Sequence, residues 1–108
     1  MVFDGEELEM SVKIKIPLDQ IVEFCRRNHI RRLALFGLVL RDDFTPESDV
    51  DVLVEFEPGH VPGFDFITMQ DELSDLFRRK VDLHTAAFLS RYFRHSVLDE
   101  AEDFYNAA

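Results

Sequence analysis

Two short runs decide the reading of this chain: Leu35-Phe36-Gly37-Leu38-Val39-Leu40-Arg41 and Ser48-Asp49-Val50-Asp51-Val52-Leu53-Val54. The first is apolar on both sides of a glycine, and the second opens on two aspartates separated by one residue. Alternate residues of a strand share a face, so Asp49 and Asp51 are expected to point the same way, with Cα atoms about 6–7 Å apart. Carboxylates that close repel one another unless one is protonated or a cation lies between them. Hard divalent ions with oxygen ligands suit that position.

Immediately around these runs, Leu33-Ala34-Leu35-Phe36 has no polar interruption, the pattern of a strand covered on both faces, and predicts a central strand over Ile30 to Phe36. Leu38 to Arg41 fit one helical turn, and residues 42–48 form a polar loop broken by Pro46. In the strand that follows, Val50, Val52, Val54 and Phe56 make an apolar face, opposite Asp49, Asp51, Leu53 and Glu55.

Further out, residues 1–10 are acidic and aperiodic and read as a loose tail. Val12, Ile14 and Ile16 alternate with Lys13 and Lys15 as in a short edge strand. After Pro17, Leu18, Ile21, Val22 and Cys25 recur at helical spacing, with Asp19 in the first turn and Arg26, Arg27 and His29 in the last. Beyond the turn-rich residues 58–63, a second helix places Phe66, Met69, Leu73, Leu76 and Phe77 on one side, and Arg78-Arg79-Lys80 complement its C-terminal dipole. Val81 to Thr85 read as a strand with Asp82 and His84 on one face. Ser90 is expected to cap a final helix carrying Phe93, Val97, Leu98, Ala101 and Phe104 in a stripe.

At 108 residues and 46% hydrophobic, the chain suits a single domain over residues 1–108. Eleven phenylalanines and no tryptophan assign aromatic burial to a residue without a polar handle, which favours core packing. The formal net charge of −10 opposes direct nucleic-acid binding and attachment to anionic membranes, and favours a basic partner. No apolar run has the ~20 residues of a membrane span, the N-terminus lacks the basic region of a secretory signal, and the single Cys25 permits no internal disulfide. These features point to a cytoplasmic protein.

Asp49, Asp51 and Asp82 lie within or beside apolar strands, where an unpaired charge is costly. Each could cap a turn or meet an arginine, but an Asp-x-Asp pair joined by a third strand aspartate shifts the balance toward metal binding. Spacing alone does not name the substrate.

The combined pattern, Leu35-Phe36-Gly37 with Arg41, then Ser48-Asp49-Val50-Asp51-Val52-Leu53-Val54, then Lys80-Val81-Asp82-Leu83, resembles the minimal nucleotidyltransferases of the DNA polymerase beta-like superfamily over residues 12 to 105. The resemblance implies an α/β (α+β) fold, a mixed sheet of three or four strands with helices packed on one face and the carboxylates on the other. It implies that Asp49, Asp51 and Asp82 are the catalytic and metal-binding residues for two Mg²⁺ ions. Gly37, Leu38 and Arg41 would then meet the phosphates of ATP. In small members of the family the expected reaction is transfer of AMP from ATP to a hydroxyl of a partner protein, the member acting as antitoxin to a HEPN ribonuclease toxin. A small-molecule acceptor is less expected, because little chain is left over for an acceptor-binding domain. The sequence departs from the family at one point. The family's serine after the glycine is Leu38, which has no side-chain donor. A second expectation therefore stands beside the first: an antitoxin that neutralises its toxin by binding alone.

Overall fold

The computed structural model describes residues 7–9, 14–41, 44–60 and 62–107. Its elements in chain order are β1 (Glu7–Glu9), β2 (Lys15–Pro17), α1 (Leu18–Arg27), β3 (Ile30–Phe36), β4 (Val50–Phe56), α2 (Asp65–Phe77), β5 (Val81–Thr85), α3 (Arg91–Glu100) and β6 (Glu102–Asn106). Short 3-10 turns occupy Gly37–Leu40 and Ala86–Phe88. The main sheet has the order β5-β4-β3-β6, with β4 and β5 parallel and the other neighbours antiparallel. β1 and β2 pair antiparallel in a separate two-stranded sheet.

The uninterrupted apolar run of β3 has the consequence expected of it: the strand is central and Leu33, Ala34 and Leu35 are fully buried. Leu33 and Leu35 share a core with Ile21, Phe24 and Cys25 of α1 and with Met69, Leu73 and Phe77 of α2. Val50, Val52 and Val54 enter the same core, and Phe56 packs partly buried at its margin. Full burial of one such side chain stabilises the fold by roughly 1.5–3 kcal/mol, so these positions outweigh the surface ion pairs. On the opposite face, Ala34, Phe36 and Leu53 meet Val97 of α3. Thus α1 and α2 lie on one face, and α3 covers part of the other.

β5 is an edge strand, and α2 covers its outer amides. The Ser74 hydroxyl accepts from the Val81 N–H at 3.0 Å while donating to the Gln70 carbonyl, and the Gln70 side-chain oxygen accepts from the Leu83 N–H at 2.9 Å. Amides that would otherwise invite another strand are satisfied, and Asp82 between them is held in place. Arg78 ends α2 in the left-handed region at φ 57°, with its N–H directed at the Asp75 and Ser74 carbonyls.

Three expectations are revised or fall outside the described residues. The acidic segment read as a tail contributes β1 at Glu7–Glu9. Val12 and Lys13 of the expected edge strand, Asp42 and Asp43 of the polar loop, and Val61 lie outside the described residues. The final helix is capped by Ser90, whose hydroxyl accepts from the Tyr92 N–H at 3.2 Å, but it ends at Glu100. Ala101 is extended and the chain returns as β6 alongside β3, pairing Leu35 with Glu102 and Arg32 with Asn106. The stripe therefore splits: Val97 and Ala101 pack on one face of the sheet, while Phe104 enters the main core against Phe77, ring centroids 5.7 Å apart. The reason is the open edge of β3, whose unpaired peptide groups are satisfied by a strand and not by another turn of helix. Arg32 fastens the arrangement with hydrogen bonds to Asp103 at 2.6 Å and Glu55 at 2.8 Å. Burial opposes the Arg32 charge, yet these bonds outweigh it and raise its pKa above the ordinary value.

No helix among the described residues is long and apolar enough to cross a membrane.

Candidate active site

The site forms where β3 ends and β4 begins. The antiparallel register sets Phe36 opposite Asp51, so the turn at Gly37 lies against the first carboxylate of β4. Gly37 has φ +79°, in the left-handed region that favours glycine, and a Cβ there would stand 2.7 Å from Asp51 Oδ2. Two independent requirements thus call for glycine: the backbone conformation and the space held by the carboxylate.

The parallel register of β4 and β5 places Asp51 beside Asp82, on neighbouring strands about 4.8 Å apart. Asp49 stands one residue before β4. The Val50 N–H donates to the Lys80 carbonyl at 2.9 Å, and the Lys80 ammonium lies 3.7 Å from Asp49 Oδ2. The Asp49 side chain is 43% exposed and that of Asp51 30%. Carboxylate oxygens at a partly exposed strand end are the donor type that a hard divalent cation takes. The close fit of Asp51 against Gly37 leaves Oδ2 pointing at this turn. Asp51 and Asp82 thus stand side by side as oxygen donors of the kind that would suit Mg²⁺, while Asp49 precedes β4 with the Lys80 ammonium beside it.

Leu38 opens the 3-10 turn, and its side chain packs partly buried against the main core. Arg41, expected near the nucleotide, directs its guanidinium to Glu100 at the end of α3, 3.2 Å away. Two residues passed over in the sequence take part in the site. His84, expected only to share a strand face with Asp82, places Nε2 3.2 Å from Asp51 Oδ1 and its ring edge-on to Phe36, centroids 5.2 Å apart. The signal was an Asp-x-His strand beside an Asp-x-Asp strand, but only the register brings them together. Arg79, read as a charge at a helix end, reaches across to the loop before Asp49. Its Nη2 donates to the carbonyls of Thr45 and Pro46, both at 2.9 Å, and its guanidinium lies over the Phe44 ring, 4.4 Å from the centroid.

The model of the nucleotidyltransferase domain matches residues 18–104, a span that includes Gly37 and all three aspartates. The chain belongs to the nucleotidyltransferase domain family. Among its relatives, a protein named protein adenylyltransferase MntA from Thermococcus cleftensis is 33% identical over 79 residues, which is 72% of this chain and 78% of that protein. Two candidate protein adenylyltransferases of Methanocaldococcus jannaschii are 37% identical over 57 residues and 27% identical over 84 residues. The chain matches 57% of the length of the first of these and 89% of the second. Among solved structures, a candidate minimal nucleotidyltransferase is 31% identical with a TM-score of 0.64, over 78% of this chain and 85% of that one. A toxin-antitoxin complex with AMP-PNP aligns with a TM-score of 0.66 at 18% identity, over 82% of this chain and 73% of that one, and shares the nucleotidyltransferase fold.

Proposed function

We propose that this nucleotidyltransferase-family protein transfers AMP from ATP to a hydroxyl of a partner protein, and that the partner is a HEPN-type ribonuclease toxin which it neutralises in the cytoplasm. The observation that carries the reading is the meeting of Gly37, Asp51 and Asp82 at one strand end. The names of the similar proteins support the adenylyltransferase reading and the toxin partner. The charge of −10 favours association with a basic protein, and the exposed Phe64, Ile67, Tyr92 and Phe93 offer apolar contact area.

In this reading the acceptor oxygen attacks the α-phosphorus of ATP, the bond from that phosphorus to the α–β bridging oxygen breaks, and pyrophosphate leaves. Asp49, Asp51 and Asp82 would hold two Mg²⁺ ions, which when bound would supply charge stabilisation for the transferred phosphoryl group. Asp82 takes up the proton of the acceptor hydroxyl. Gly37 allows the backbone to approach the phosphates, and the N–H groups of Gly37 and Leu38 are the donors that remain there.

Leu38 favours a second reading, an antitoxin that acts by binding alone. Loss of one donor aimed at a phosphate costs on the order of 10²–10³ in rate. Incubating protein and partner with labelled ATP and Mg²⁺ tests both readings. Transfer that Asp51→Asn abolishes supports the enzyme. A silent wild type that still neutralises its partner, with or without Asp51, supports the binding module. Recovery of the monomer alone from the native host, at both low and moderate salt, speaks against the partner in either form.

A further inference from the structure

We propose that His29, Glu57 and His60 form a binding site for a divalent transition-metal ion, with Zn²⁺ the best match, at the end of the sheet opposite the three aspartates. His29 immediately precedes β3 and Glu57 immediately follows β4, whereas Gly37 and Asp49 stand at the other ends of the same two strands. Seven residues of strand separate the two places by about 20 Å, so this cluster belongs to no part of the nucleotide site.

One nitrogen from each histidine and one oxygen of Glu57 all lie within 4.8 Å of one another, and the described residues hold no other group of three His, Cys, Asp or Glu that meets this condition. The His29 and His60 rings stack with centroids 4.0 Å apart at 18°, and His29 Nδ1 lies 3.8 Å from Glu57 Oε1. The backbone fixes the three residues against one another. The Glu57 N–H donates to the His29 carbonyl at 2.8 Å, and the His60 N–H donates to the Glu57 carbonyl at 3.0 Å. His29 itself is held at φ +55°, where a residue other than glycine is uncommon, at the junction between α1 and β3. With the backbones interlocked, closing on an ion costs only the rotamers of exposed side chains.

Two imidazoles and one carboxylate are a donor set for Zn²⁺, whereas Mg²⁺ prefers oxygen alone. Ligand bonds near 2.0–2.1 Å require the donors to draw together by about 1 Å and the stacked rings to turn until both lone pairs converge, a change of rotamer open to exposed side chains. Three protein ligands leave a fourth position for water. The bound ion would tie the α1–β3 junction to the turn after β4, and it would stabilise the fold in proportion to occupancy.

The test is a calorimetric titration of the tag-free full chain with ZnCl₂ in the presence of millimolar Mg²⁺. One Zn²⁺ per chain is expected to bind, with a rise in melting temperature, and the Co²⁺ form is expected to show the visible absorption of nitrogen ligation. Replacing His29 by Gly, which relieves the positive φ, together with His60→Ala should weaken binding more than about 100-fold, because losing even a residue that only orients a ligand costs 10–100-fold. His95→Ala, on the outer face of α3, should leave binding unchanged. A parent chain with no saturable Zn²⁺ binding below millimolar concentration, or a double variant that binds as tightly as the parent, overturns the proposal. The Co²⁺ spectrum of the unsubstituted protein decides the matter even where the double variant does not fold.

Discussion

Asp51 Oδ2 occupies the space that a side chain at Gly37 would need, 2.7 Å from where its Cβ would stand. Gly37→Ala must therefore both enter the left-handed region, at roughly 1–2 kcal/mol, and displace the carboxylate. The expected result is a lower urea midpoint and loss of nucleotide transfer. Gly59 is the matching control: it has φ +83° and, beyond its chain neighbours, no atom of the described residues within 4 Å of its would-be Cβ. Gly59→Ala should show a similar loss of stability with transfer retained. Equal transfer by the two variants would mean that the Asp51 contact is immaterial.

Leu38→Ser is expected to raise the labelling rate, by up to about 10²–10³ if the hydroxyl reaches a phosphate. It should also lower stability by about 1 kcal/mol, since the leucine packs partly into the core. Rate and urea midpoint measured on the same preparation separate the two effects. An unchanged rate would show that the hydroxyl has no phosphate to meet.

His84 holds Asp51 through Nε2 and is itself braced by the Phe36 ring. It acts as a positioning residue, so His84→Ala should leave the fold intact and raise the Mg²⁺ concentration needed for half-maximal labelling by about 10–100-fold. His84→Gln, which keeps a donor, should recover part of the loss. An Mg²⁺ midpoint identical to wild type in the alanine variant would assign the contact to packing.

Arg79 Nη2 gathers the carbonyls of Thr45 and Pro46, and the guanidinium lies over the Phe44 ring. Arg79→Ala should cost about 1–3 kcal/mol and speed amide exchange over residues 44–48. Arg79→Lys should recover the carbonyl contacts only in part, because an ammonium lacks the planar guanidinium face that lies over the Phe44 ring. Hydrogen exchange that stays slow in the alanine variant would show that the loop does not depend on this clamp.

Burial pushes the Cys25 thiol up to about 12, from an ordinary value of 9.0. The folded value is the higher one, so the contribution to stability is complete below pH 9 and is lost as pH rises from about 9 to about 12. Over that window the parent protein should lose stability faster than Cys25→Ala, by at most about 1.4 kcal/mol per pH unit. Parallel slopes for the two proteins in urea titrations would contradict a buried, neutral thiol.

The sequence by itself determined the central strand, since the uninterrupted Leu33 to Phe36 can be satisfied only by cover on both faces. It also determined the glycine turn, the three aspartates and the two amphipathic helices α1 and α2, because local pattern and local chemistry carry each of them. Tertiary structure alone decided what Phe104 does, because a helical stripe and a half-buried strand compete for the same residues until the open edge of β3 is there to pair with. It also decided which side chain touches which carboxylate. His84 reaches Asp51, Arg79 reaches the loop before Asp49, and Arg41 turns to Glu100, through strand register and helix placement that bring together residues 33, 31 to 34 and 59 positions apart. Contacts across such separations depend on how elements pack, which no local spacing in the chain records.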